Sequence, residues 1–197
     1  QDMSELTLAF VQAALNAPVS TQADVATRII TDSREAKAGD VFVALVGGQF
    51  DGHDYVADVL AKGVAAVIVS REVVAGDARQ IMVADTLAAL GQIAQAWRLK
   101  WNPKIVALTG SNGKTTVKEM CAAILRTALG DDAVLATAGN FNNEIGMPLT
   151  LLRLQAAHKV AVLEMGMNHF GELARLTQIA QPDVALVNNA SRAHIGN

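Results

Sequence analysis

Residues 104–129 constrain this chain more than any others: an apolar run, KIVAL, breaks directly into TGSNGKTT and then into the helical periodicity of TTVKEMCAAILRTAL. Strand, glycine turn and helix in that order bring backbone N–H groups around an anion. The glycines permit a tight turn and close backbone approach, and a helix starting at the lysine directs its positive dipole end to the same point. The spacing is G-x-x-G-K-T, so Lys114 is placed to reach the terminal phosphates of a nucleotide and the Thr115 hydroxyl to sit on Mg²⁺. The nucleotide-binding residues expected from the motif are Thr109, Gly110, Ser111, Asn112, Gly113, Lys114, Thr115 and Thr116. Two residues separate the glycines where the commonest P-loop has four, which makes generic GTPases and kinases poorer matches.

Such a loop belongs at the end of a parallel strand, and the second half of the chain supplies the sheet. AVLAT, KVAVLEMG and DVALVNNA are near-continuous apolar runs that alternate with helical stretches, the pattern of a parallel sheet covered on both faces. Ligands of these sheets bind beyond the carboxyl ends of the strands. Glu164 ends KVAVLE there. A carboxylate beside phosphates is what Mg²⁺ takes, so Glu164 is the first candidate for the metal shell, against a helix cap or a surface charge. Asn140, Asn142 and Asn143 in AGNFNNEIGMPLT suit phosphate, sugar hydroxyls or metal-bound water, and equally suit a turn. His194, past DVALVNNA, reads as a ligand or proton carrier; His169 as a cap, a packing residue or a substrate contact; His158 as surface.

The first half reads as a smaller α/β module: a helix, two short β segments (VATRIITD and VFVALVG), the helix HDYVADVLAKG and two more strands (AAVIVS and RQIMVAD). Ser33 and Arg34 lie at a strand end and suit an anionic ligand. Residues 51–54 form either a ligand loop or simply a turn and helix cap. A helix over residues 86–102, with Asp85 as N-cap and Pro103 closing it, is the expected linker between a domain of residues 1–85 and one of residues 103–197.

The formal charge of −3 gives no basic footprint for long nucleic acid. The one cysteine, Cys121, excludes an internal disulfide and falls on the apolar side of a helix, where it packs. The opening residues are acidic and interrupted by Gln12, unlike a secretory signal, and no apolar run reaches spanning length. The expectation is a cytoplasmic α/β protein, monomeric and outside the membrane. Because it opens on Gln1 and stops in RAHIGN, within a loop of active-site character, the chain reads as a piece of a longer polypeptide.

TDSR, GDVFVALVGGQFDGHDYV, TGSNGKTT, NFNNEIGMPLTLL, EMGMNHFGEL and VNNASRAH, in that order, resemble the Mur ligase family along nearly the whole chain. EMGMNHFGEL and NNASRAH are similar to its D-alanyl-D-alanine-adding branch rather than to the diaminopimelate- or lysine-adding one. The resemblance implies a first domain that holds the UDP part of the substrate near Ser33, Arg34, Asp51, Gly52 and His53, followed by a central ATPase domain. In that domain Lys114 and Thr115 hold phosphate and Mg²⁺, Glu164 the same metal and His194 a second one, with Lys114, Glu164 and His194 catalytic and Asn143 and Asn140 on the substrate side. The implied reaction joins D-alanyl-D-alanine to UDP-N-acetylmuramoyl tripeptide at the expense of ATP, through an acyl phosphate. A carbamylated lysine and a C-terminal domain that the family uses lie outside this sequence, so the chain by itself is expected to bind but not to turn over. The competing readings are another Mur-type amide ligase, folylpolyglutamate synthetase, and a non-catalytic nucleotide-binding module.

Overall fold

The computed structural model describes residues 5–18, 25–139, 141–166 and 171–188. The chain divides into two units, Gln1–Ile93 and Ala94–Asn197.

In the first unit, helix α1 (Leu8–Ala14) starts where the Thr7 hydroxyl accepts from Phe10 N. Strands β1 (Ile29–Ile30), β2 (Val41–Val43), β3 (Ala66–Val69) and β4 (Gln80–Met82) then pair in parallel in chain order. The ladders are shorter than the apolar runs suggest, because both runs feed into capped turns. Asp32 accepts from Arg34 N and opens a 3₁₀ turn after β1, and beyond β2 Gly52 N reaches back to Leu45 O. Helix α2 (Val56–Ala61) buries Val56, Val59 and Leu60 against Phe42, Val67 and Val69. Its apolar face and the doubly apolar strands are two halves of one core.

Helix α3 (Thr86–Trp101) has the start read from the sequence: Asp85 Oδ1 accepts from Leu87 N and Ala88 N. The division between the units falls inside this helix, which is packed rather than free-standing, with Leu90, Ile93 and Ala94 fully buried.

The second unit runs β5 (Lys104–Gly110), α4 (Lys114–Leu129), β6 (Val134–Ala136), α5 (Gly146–Leu151), β7 (Val160–Glu164), α6 (Glu172–Ala180) and β8 (Val184–Asn188). Its sheet is wholly parallel, in the order β6-β7-β5-β8. From β5 the chain crosses to the far edge at β6, returns through β7 and passes to the other side of β5. The neighbouring carboxyl ends of β5 and β7 are therefore the switch point at which an open α/β sheet binds ligands. Val117, Cys121, Ala122 and Leu125 of α4 pack on Leu108, Val134, Val160 and Val162, which places the lone cysteine in the packed face expected for it. No helix among the described residues is long and apolar enough to cross a membrane.

Candidate functional site

The glycine loop closes the carboxyl end of β5. Gly110 has φ +133 and stands in register with Asn188 of β8, so near its neighbour that a Cβ would overlap the Asn188 carbonyl oxygen. Gly113 caps α4 at φ +76, a left-handed conformation glycine adopts without strain, and no side chain caps the helix. The first N–H groups of a sixteen-residue helix thus stay open toward the loop, the arrangement that receives an anion. Asn188 Nδ2 donates to Asn112 O (2.9 Å), tying the loop to β8. Lys114 Nζ lies over the loop and donates to Gly110 O (2.7 Å), while Thr115 and Thr116 are exposed on the first turn of α4.

Glu164 ends β7 beside this loop, since it is in register with Leu108, two residues before Gly110. It is 2% exposed, and its Oε1 has no hydrogen-bond partner. The hydroxyl of Thr109, at the end of β5, is likewise buried without a partner. The orphaned Glu164 oxygen at the end of β7 fits a hard cation, because a buried acceptor left unmade carries a desolvation penalty that a bound ion removes. Among the described residues no group of three His, Cys, Asp or Glu side chains forms a metal cage. The donor set matches Mg²⁺, which takes one or two carboxylates and completes its shell with phosphate oxygens and water.

Lys118, one helical turn beyond Lys114, was not singled out by the sequence, yet it lies within this network. Its Nζ is buried, donates to Thr137 O (2.7 Å), stands 3.0 Å from Glu119 and is 3.6 Å from Glu164 Oε1. The Thr137 hydroxyl in turn accepts from Glu164 N (2.9 Å). Periodicity marks position 118 as an ordinary helix lysine; only the packing of α4 on β6 and β7 buries it. A groove of about 730 Å³ along β6 reaches the network from the Lys118 side, but neither Glu164 nor residues 109–116 line it, so it is not the nucleotide crevice.

The first unit's candidates are held by local structure. Arg34 grips Asp32 through Nε (3.0 Å) and Nη2 (2.7 Å) on an exposed turn; this guanidinium, first, and the Arg34 amide hold the Asp32 carboxyl at about 2. Lys62 Nζ donates to Ser33 O (3.1 Å). Gly52 fits so tightly that a Cβ would stand 2.9 Å from Leu45 N. His53 is buried, and Ser70 N donates to its Nε2 (2.9 Å), so the ring proton is assigned to Nδ1, which donates to Asp51 Oδ1 (2.7 Å). Asp51 also accepts from His53 N (2.9 Å) and from Arg71 Nη2 (2.9 Å), and its carboxyl is held at about 2, first by the His53 amide and then by Arg71 and the His53 ring. The loop read as either ligand site or cap is at least a cap, with both ring nitrogens of His53 engaged.

In the second unit Asn143 Oδ1 accepts from Gly146 N (2.7 Å) and Ile145 N (3.2 Å), fixing the entry to α5 through the carbonyl end of its amide. Gly166 N donates to Asn142 O (2.7 Å), joining this loop to the end of β7. Asn140, His169 and His194 lie outside the described residues.

Matches to known proteins run along most of the chain. Residues 26–98 match the model for the Mur ligase family, catalytic domain, and residues 108–197 match the Mur ligase middle domain. The chain is 48% identical over 169 residues to the UDP-N-acetylmuramoyl-tripeptide–D-alanyl-D-alanine ligase of Haemophilus influenzae and 47% identical over 167 residues to that of Escherichia coli. These alignments cover 85% of this chain but 37% and 36% of the relatives. A crystal structure of MurF from Acinetobacter baumannii superposes with a TM-score of 0.86 at 41% identity, over 96% of this chain and 42% of that one. MurF from Thermotoga maritima in complex with ADP superposes with a TM-score of 0.78 at 36% identity, over 86% and 39%. The chain belongs to the Mur ligase family, and the sheet that carries its glycine loop and Glu164 lies in the part matching the family's middle domain.

Proposed function

We propose that this chain is the UDP-substrate- and ATP-binding part of a ligase that joins D-alanyl-D-alanine to UDP-N-acetylmuramoyl tripeptide in peptidoglycan precursor synthesis, a cytoplasmic reaction. The observation that carries the reading is the strand end shared by β5 and β7. A glycine loop with open helix N–H groups stands beside a buried carboxylate oxygen without a hydrogen-bond partner, in a chain that is 48% identical to a ligase of that name.

In this reaction the terminal carboxylate of the tripeptide attacks the γ-phosphorus of ATP and ADP departs, leaving an acyl phosphate. The amine of D-alanyl-D-alanine then attacks the acyl carbon and inorganic phosphate leaves. The loop N–H groups at the start of α4 hold the β- and γ-oxygens, and Lys114 swings from Gly110 O to neutralise charge on the transferred group. Glu164 and Thr115 would hold Mg²⁺, which supplies Lewis-acid neutralisation of the phosphate oxygens. The first unit binds the UDP end at Ser33, Arg34 and residues 51–53, where the Asp51–His53–Arg71 lock shapes the loop more than it contacts ligand. By the family likeness Asn143 and Asn140 would stand on the substrate side, and His194 would hold a second metal. The protein acts as a monomer.

A diaminopimelate-adding ligase superposes on the same fold with a TM-score of 0.63 at 19% identity, so the fold leaves the added amine open. The test is ADP release by the intact ligase with Mg-ATP and UDP-muramoyl tripeptide, offered D-alanyl-D-alanine, diaminopimelate or lysine. Release that requires D-alanyl-D-alanine supports the reading; release only with another amine moves the chain to that branch. Lys114→Ala is expected to lower ligation at least a thousandfold with UDP-substrate affinity unchanged within about twofold. Ligation at the normal rate by that variant refutes the role given to Lys114.

A further inference from the structure

We infer that Lys118 is a built-in counter-ion for Glu164: a fixed ammonium that compensates the buried carboxylate and lowers the affinity of that site for a divalent cation. The inference rests on reading Glu164 as a metal ligand. Both side chains are buried, Lys118 at 3% and Glu164 at 2% exposure. A lone carboxylate in that setting is strongly disfavoured, so its charge needs a partner.

The geometry of the partner is unusual. A buried ion pair that serves only the core closes through a short charge-assisted bond, about 2.7–2.9 Å between N and O. Here Lys118 Nζ makes its short contacts elsewhere, to Thr137 O (2.7 Å) and Glu119 (3.0 Å), and is held 3.6 Å from Glu164 Oε1. The carboxylate is neutralised by charge and keeps that oxygen free of hydrogen bonds. Thr137 sets the separation from both sides, since its carbonyl accepts from Lys118 and its hydroxyl accepts from Glu164 N. One residue after β6 thus positions the helix cation and the strand anion together. A divalent ion arriving at Glu164 meets the repulsion of the ammonium. Removing that ammonium must therefore tighten metal binding, whereas a lysine that merely props up the fold would weaken it on removal.

The test is Mn²⁺ titration followed by electron paramagnetic resonance, with calorimetric unfolding in EDTA and in Mg²⁺, for the wild type, K118M, K118R, E164Q and K118M/E164Q. K118M is expected to unfold at lower temperature in EDTA, to recover more than the wild type on adding Mg²⁺, and to bind Mn²⁺ on the order of tenfold more tightly. K118M/E164Q, with both charges gone, is expected to regain most of the midpoint lost by K118M. K118R, whose longer fork reaches the carboxylate directly, is expected to bind Mn²⁺ more weakly than the wild type, and this arm stands even where K118M does not fold. Mn²⁺ affinity that is measurable in the wild type but unchanged by both Lys118 variants overturns the counter-ion role alone. Absence of Mn²⁺ binding from every form that keeps Glu164, with ADP present, overturns Glu164 as a ligand and this inference with it.

Discussion

Two glycines in one loop differ sharply in what they tolerate. At Gly113 a methyl group meets only the Asn188 side-chain amide, 2.6 Å away, which can turn aside by giving up its bond to Asn112 O, and the left-handed φ of +76 adds its own penalty. Gly113→Ala is expected to cost about 1–2 kcal/mol, the usual charge for a side chain in that region. At Gly110 the obstacle is the Asn188 backbone carbonyl in the β5–β8 ladder, which cannot move without breaking the pairing. Gly110→Ala should cost more than about 4 kcal/mol, and denaturant unfolding of the two variants measures the contrast. The motif shows in the sequence because its requirements are local: glycine spacing, a preceding strand, a following helix. The motif does not reveal which glycine is sterically indispensable, because that depends on a strand 78 residues away from Gly110 in the chain. Residues 51–53 were ambiguous for a related reason. An Asp-x-His that caps a turn and one that binds a ligand have the same composition, and only the burial of His53 under Ser70 separates them. The lock has a pH signature. Asp51 titrates at about 2 in the folded chain, below the ordinary unfolded value of about 3.9, so its stabilisation is complete above pH 4 and is lost as pH falls toward 2. Asp51→Asn is therefore expected to be less stable than the wild type at neutral pH, with the gap closing between pH 4 and 2. Asp32 and Asp77, also at about 2, leave a residual acid slope in the variant. Unfolding midpoints across that range read the difference directly.

At the level of elements, the helices carry ties that amphipathic periodicity does not encode. Arg98 of α3 is 4% exposed, and its Nε and Nη2 donate to the carbonyls of Ala180 (2.8 Å) and Gln181 (3.1 Å) at the carboxyl end of α6. Its Nη1 donates to Asn102 Oδ1 (2.9 Å), so one guanidinium caps α6 and closes α3 together. A cation at the negative end of a helix is favourable, and charge-assisted bonds inside a protein each contribute about 1.5–3 kcal/mol. Arg98→Met keeps the aliphatic stem and removes the donors. It is expected to lower stability by about 2–4 kcal/mol, with faster amide exchange concentrated in α6. Read alone, WRLKW gives a basic last turn of an amphipathic helix and nothing about a partner 82 residues later. Lys118 was hidden in the same way, since Thr137 and Glu164, which define its setting, lie just past β6 and at the end of β7. The sequence makes elements and their order legible because periodicity is local; the ties between elements depend on sheet order, β6-β7-β5-β8, which no single segment contains.

For the whole molecule, the two parallel sheets give two ligand edges with different chemistry, each within its own unit. The second edge presents open helix N–H groups, Lys114 and Glu164, the set proposed above for a nucleotide polyphosphate and its cation. The first presents Arg34, paired with Asp32, and the locked loop at residues 51–53, proposed above for the UDP end of the substrate. A ligand that binds only the folded form stabilises what it touches by RT ln(1 + [L]/Kd), about 2.7 kcal/mol at a hundredfold excess over Kd. Hydrogen exchange resolves where that stabilisation falls. Mg-ATP is expected to slow exchange at residues 110–118 and around Glu164 while leaving residues 33–34 and 51–55 unchanged, and slowing at residues 33–34 and 51–55 is expected only with UDP-N-acetylmuramoyl tripeptide. Protection of residues 33–34 and 51–55 by Mg-ATP alone would overturn the assignment of the nucleotide to the second sheet only. The chain spans little more than a third of its relatives' length. Both edges protected under both ligands is the outcome expected of these two units.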